Sequence, residues 1–156
     1  MNNKEYAVLV LVVVLIFGFA IPLLSKDVDK QAAKPKLDQQ YVKAYYGGIE
    51  RSMAEDLTLS EADAAKLMDY INYGGRDWAE TDTGSYAEKL EKMYVVQVSN
   101  NQMFWIPASA NQDGTLDILF IKTPAEGETD KEHVYSTSVK ANVASPLLSL
   151  LENNKP

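Results

Sequence analysis

From Ala7 to Leu24 the chain runs for 18 residues without a charge (AVLVLVVVLIFGFAIPLL), and no polar face recurs within the run. As a helix such a run measures about 27 Å, against a hydrocarbon core of about 30 Å. A lone apolar segment in lipid must satisfy its backbone internally, so the pattern predicts an N-terminal transmembrane helix and assigns residues 1–24 to a membrane anchor. The rival reading is a cleaved signal peptide with Gly18-Phe19-Ala20 as its small-x-small site. Apolar character continues past that site through Ile21, Leu23 and Leu24, which favours a retained signal-anchor. Residues 25–36 (SKDVDKQAAKPK) are polar and charged and read as a solvated stalk.

Beyond the stalk, Leu37, Tyr41, Tyr45, Ile49, Met53 and Leu57 recur every four residues and predict a helix with one core-facing stripe, interrupted at Gly47-Gly48. A second helix is predicted over 60–73. Ser60 stands as N-cap, Asp63 in a capping-box position, Leu67, Met68 and Ile71 on one face, and Gly74 as C-cap. A shorter third helix is predicted over Tyr86–Met93. The period then changes to that of strands. Tyr94–Ser99, Gln102–Ala108, Thr115–Thr123 and His133–Lys140 are rich in β-branched and aromatic residues and are joined by turn-forming segments, which predicts a four-stranded antiparallel meander. Ser145-Pro146 ahead of a leucine cluster predicts a short C-terminal helix. The fold class read from these signals is α+β, with residues 37–156 as a single domain: two to three helices, the meander and the terminal helix.

Charge divides the chain. Residues 1–36 hold five lysines against three acidic residues, so of a net charge of −7 the remaining 120 residues carry −9. A domain with that balance and no basic stripe repels phosphate, which argues against nucleic acid as a partner. With no cysteine, disulfides, thiol catalysis and thiolate metal sites are excluded. Lys4 precedes the apolar run and four lysines follow it, so lysine count alone would keep the domain in the cytoplasm. A short tail ahead of a first apolar segment ordinarily stays inside, and the reading adopted is a single-pass membrane protein with an extracytoplasmic domain.

The candidate chemistry is thin. Asp82-Thr83-Gly84-Ser85 resembles the catalytic loop of aspartic proteases, and Gly75-Arg76-Asp77 resembles an element of the retroviral type. In that family the triplet follows an apolar strand and the Gly-Arg-Asp element lies downstream. Here the triplet follows Glu80-Thr81 and the element precedes it, so Asp82 and Ser85 read as helix-capping residues. His133 is the only histidine, too little for a triad or a zinc site. The acidic groups Asp77, Glu80, Asp82 and Glu126, Glu128, Asp130, Glu132 lack the spacing of a calcium loop. Glu50, Glu55 and Asp56 are the carboxylates an envelope hydrolase would use as acid and base, and no motif surrounds them. The reading therefore assigns no catalytic residue, no metal and no cofactor.

The densest apolar stretch of the domain is Met103-Phe104-Trp105-Ile106. Alternation puts Met103 and Trp105 on one side and Phe104 and Ile106 on the other, and this stretch is the candidate partner-binding site. The function expected is a membrane-anchored, non-catalytic structural, assembly or accessory protein of an envelope complex or a membrane-containing virion. Its expected partners are membrane lipid through residues 7–24 and a protein partner or a homo-oligomer. The alternatives are an envelope hydrolase and a small-ligand-sensing module.

Overall fold

A computed structural model describes residues 35–48, 54–86, 92–127, 129 and 131–156, and Pro35–Pro156 forms one compact unit. Its strands are β1 (Lys43–Gly47), β2 (Glu55–Asp56), β3 (Ala79–Thr81), β4 (Met93–Gln97), β5 (Gln102–Pro107), β6 (Leu116–Lys122) and β7 (His133–Val139). They form one antiparallel sheet in the order β2-β1-β4-β5-β6-β7-β3. Two α-helices accompany it, α1 (Glu61–Ile71) and α2 (Ala141–Asn153). The expected architecture is thereby corrected. The sheet has seven strands rather than four, and it recruits three of them from the part of the chain assigned to helices and loops.

The first correction concerns the apolar residues spaced by four. Positions four apart share a face on a strand as well as on a helix, because a strand repeats every two residues. Two glycines within the segment each cost about 1 kcal/mol in a helix, and adjacent tyrosines favour a strand. The chain accordingly forms β1 across Tyr45-Tyr46 and turns back to β2, with Tyr45 opposite Asp56 and Tyr46 opposite Glu55. At Gly47 a Cβ would stand 3.1 Å from the Cα of Ala54, so the close return of the chain uses the missing side chain.

α1 is entered through Ser60, whose hydroxyl oxygen accepts from the Asp63 amide at 3.1 Å and whose hydroxyl donates to the Asp63 carboxylate at 2.7 Å. Its end differs from expectation. Asn72 rather than Gly74 takes the left-handed conformation, and Arg76 donates from Nε to the Ile71 carbonyl at 2.8 Å and from Nη2 to the Tyr70 carbonyl at 2.9 Å. These bonds satisfy carbonyls that the helix end leaves open. The third helix expected over Tyr86–Met93 is corrected at both of its ends. Residues 83–86 form a single 3-10 turn, Met93 begins β4, and 87–91 lie outside the described residues. α2 starts four residues ahead of its expected cap, with Pro146 inside it. Burial of Ala144, Leu147 and Leu151 against the sheet outweighs the backbone bond that Pro146 cannot donate.

Both helices pack on one face of the sheet. Leu67 and Ile71 of α1 and Ala144, Leu147 and Leu151 of α2 join Val96, Phe104, Ile106, Ile118, Phe120 and Tyr135 in the main core. Its centre is aromatic: the Tyr73 ring lies 4.7 Å from Phe120, 5.3 Å from Trp78 and 5.9 Å from Phe104. The expected anchor and nearly all of the expected stalk lie outside the described residues. Pro35 and Lys36, assigned to the stalk, are held by the domain: Tyr73 donates its hydroxyl to the Pro35 carbonyl, and the buried Gln102 donates to the Lys36 carbonyl at 2.9 Å. Among the described residues no helix is long and apolar enough to cross a membrane.

Phe104→Ala should cost about 3–5 kcal/mol, against about 1 kcal/mol for Ser60→Ala at the α1 cap, as read from denaturant midpoints. A pH effect follows from Tyr94, whose hydroxyl is pushed up from 10.0 to about 12 by burial and then by its hydrogen bond to Glu152. A folded-state pKa above the unfolded one contributes stability that is complete below about pH 10 and is lost as pH rises through about 12. Tyr94→Phe should therefore flatten the alkaline fall in unfolding free energy.

Candidate functional site

The alternation expected along β5 sorts its side chains between two environments. Phe104 and Ile106 are fully buried in the main core beneath the helices. Of the two pairs this one fills the core, so the candidate partner surface is narrowed to the other, because no partner can reach Phe104 and Ile106 in the folded domain. Met103 and Trp105 face the other way and are only partly buried.

The sheet register builds a second apolar cluster around that pair. Trp105 lies opposite Val95 on one side and Leu119 on the other, and Met103 lies opposite Ile121. Met93, Val95 and Leu119 are buried, with Tyr45, Tyr86, Met103 and Trp105 packed against them and partly buried. Among the described residues, neither α-helix contributes to this cluster. Sequence reasoning missed Tyr45, Tyr86, Met93, Val95 and Leu119 as members. The signal was the period of two along β4 and β6, but cross-strand register is needed to join those positions to Trp105.

The two tryptophans differ in a way that marks the second face. On the helix-covered side, the Trp78 indole N–H donates to the Tyr73 carbonyl at 2.9 Å. On the second face, the Trp105 indole nitrogen is buried and has no hydrogen-bond partner. Leaving a buried donor unsatisfied costs about 1–3 kcal/mol.

The remaining candidates do not assemble into a catalytic centre. Asp82 accepts from the Ser85 amide at 3.1 Å and from its hydroxyl at 3.3 Å, at the entry to the 3-10 turn over residues 83–86. His133 stands 3.9 Å from Glu80 and stacks on Tyr135, on the surface of β7. Glu55 and Asp56 are successive residues of a strand, so their side chains leave opposite faces and do not act on one substrate atom together. Glu50, Glu128 and Asp130 lie outside the described residues. Among the described residues no three acidic or histidine side chains are grouped to hold a metal ion. An open groove of about 410 Å³ between residues 39–42 and the start of α1 is lined by Gln39, Gln40, Tyr41, Leu59, Ser60 and Glu61 among others, with Glu61 its only charged side chain.

The asymmetry of the tryptophans has a measurable consequence. Trp105→Phe removes an unpaired donor along with some apolar area, and should change stability by less than about 1 kcal/mol, whereas Trp78→Phe strands the Tyr73 carbonyl and should cost about 1–3 kcal/mol. Urea unfolding of the two variants beside the parent chain, in one uncharged detergent, checks the difference. No protein-family model, no curated protein and no solved structure matches the chain.

Proposed function

We propose that the chain is a membrane-tethered, non-catalytic assembly or accessory protein that binds another protein through the second face of its sheet, centred on Met103 and Trp105. The observation that carries this reading is the apolar cluster on the second face, where Tyr45, Tyr86, Met103 and Trp105 are only partly buried and to which, among the described residues, neither α-helix contributes. An interface core is apolar and is often anchored by tryptophan. The tether in this proposal is the uncharged run Ala7–Leu24, which would hold the domain at a bilayer on the extracytoplasmic side.

Two further features favour the face over the edges. The outer strands are short, with only two residues in β2 and three in β3, and each carries acidic side chains, Glu55 and Asp56 on one and Glu80 on the other. Such edges discourage addition of another strand. The partner on this reading is a different protein, neutral or basic where it meets the domain, because two domains of net charge −9 repel each other.

Three variants test the assignment by quantitative co-purification from the native membrane. Met103→Ser should release the partner, and Met103→Leu should retain it. Trp105→Ala, which deletes the ring from the face, should weaken association about tenfold or more. Retention of the same partner at the same level in folded Met103→Ser and Trp105→Ala would refute the assignment.

A further inference from the structure

At the opposite side of the sheet, near the end of α2, a second constellation is built for a cation. Tyr46 of β1 and Tyr94 of β4 are direct cross-strand partners, and their rings lie 5.1 Å apart at 49° to each other. Above them, Glu152 in the last turn of α2 accepts the Tyr94 hydroxyl at 2.5 Å. The Lys155 ammonium sits in the space these three groups enclose. Its nitrogen is 3.6 Å from the Tyr46 ring centroid, 5.3 Å from that of Tyr94 and 2.7 Å from Glu152 Oε2. Two tilted aromatic faces and a carboxylate around one ammonium are the recognition geometry of an aromatic cage.

The occupant is held more loosely than the cage. Tyr46 and Tyr94 are fixed by the β1–β4 ladder, and α2 is fixed by Ala144, Leu147 and Leu151 in the core. The chain after α2 is tied at Asn154, whose carbonyl accepts from the Thr58 amide at 3.0 Å and whose side chain donates to the Leu150 carbonyl at 2.9 Å, and at Lys155, whose amide donates to the Glu152 carbonyl at 3.3 Å. These bonds hold the Lys155 backbone and leave its side-chain torsions free, so the ammonium can swing out without unwinding the helix. The Glu152 side chain is 62% exposed, which leaves the cage open to solvent on one side. The hydrogen bonds from Lys155 and Tyr94 hold the Glu152 carboxyl below its usual range, so the cage keeps its negative charge at neutral pH.

We infer that Tyr46, Tyr94 and Glu152 form an ammonium-binding site capped by the chain's own Lys155, and that a lysine side chain of a partner protein displaces this cap. The chemical class is set by the present occupant. Its contact with Glu152 requires N–H donors, which favours a primary ammonium over a quaternary one, and its approach to Tyr46 suits a compact cation rather than a planar guanidinium. The inference stands apart from the proposed partner face, because Tyr46 and Tyr94 lie on the helix-covered side of the sheet.

The test uses the full chain in an uncharged detergent, with n-butylammonium as the lysine mimic and tetramethylammonium as the quaternary control, followed through the ring-proton shifts of Tyr46 and Tyr94. Lys155→Met, which vacates the charge and keeps an apolar stem, should bind n-butylammonium about tenfold more tightly than the parent chain, and adding Tyr46→Ala should abolish that gain. Binding of n-butylammonium that is no tighter in folded Lys155→Met than in the parent would overturn the inference. Tighter binding of tetramethylammonium would overturn the assignment to lysine. A Lys155→Met chain without cooperative unfolding would overturn the exchange itself, since a cation the fold cannot release is not displaced by a partner.

Discussion

A sheet of seven strands has two faces, and among the described residues both α-helices pack on one of them. Every strand sends successive side chains to opposite sides, so the central strands β4, β5 and β6, apolar at nearly every position, need cover above and below. On the first side that cover is complete. The helices, the Tyr73–Trp78–Phe104–Phe120 ring cluster and the Trp78 to Tyr73 hydrogen bond leave the aromatic groups packed and the indole satisfied. On the second side Met93, Val95 and Leu119 are buried, Met103 and Trp105 are only partly so, and the Trp105 indole donor goes unpaired. The remaining features of the domain follow from this imbalance.

The edges and the charge sharpen it. With both outer strands short and acidic, the sheet offers little backbone for another chain to extend, which is why the proposal puts association on a side-chain face. At a net charge of −9 two copies of the domain repel each other, and the proposed partner is accordingly neutral or basic. The isolated carboxylates have no shared target. Asp82 is engaged as a cap, Glu80 stands beside His133, and Glu55 and Asp56 diverge from one another.

Much of the strand pattern was legible from β4 onward, because runs of valine, isoleucine and aromatic residues bounded by asparagine- and glycine-containing turns have few alternatives to a sheet. The segment around Tyr45 was not. Its spacing of four fits a helix and a strand equally, and what decides between them is pairing with β4, a partner some fifty residues away in the chain. The outermost strands β2 and β3 are too short to carry any period. For the candidate site, alternation along β5 separated Met103 and Trp105 from Phe104 and Ile106, but which pair faced the core depended on the side the helices took. That choice is made by packing between elements, to which no single element testifies. The unpaired indole and the Lys155 cage are likewise products of tertiary placement, and neither leaves a motif.

The central claim is that the second face meets a partner, and the absence of cysteine permits a direct measurement of it. A photoreactive maleimide attached at Met103→Cys reports on that face alone, and one attached at Asp69→Cys reports on the exposed side of α1. Irradiated in the chain's native membrane, the label at position 103 should give one discrete adduct to a second protein, and the label at 69 should give none. An adduct from 69 with none from 103 would contradict the account.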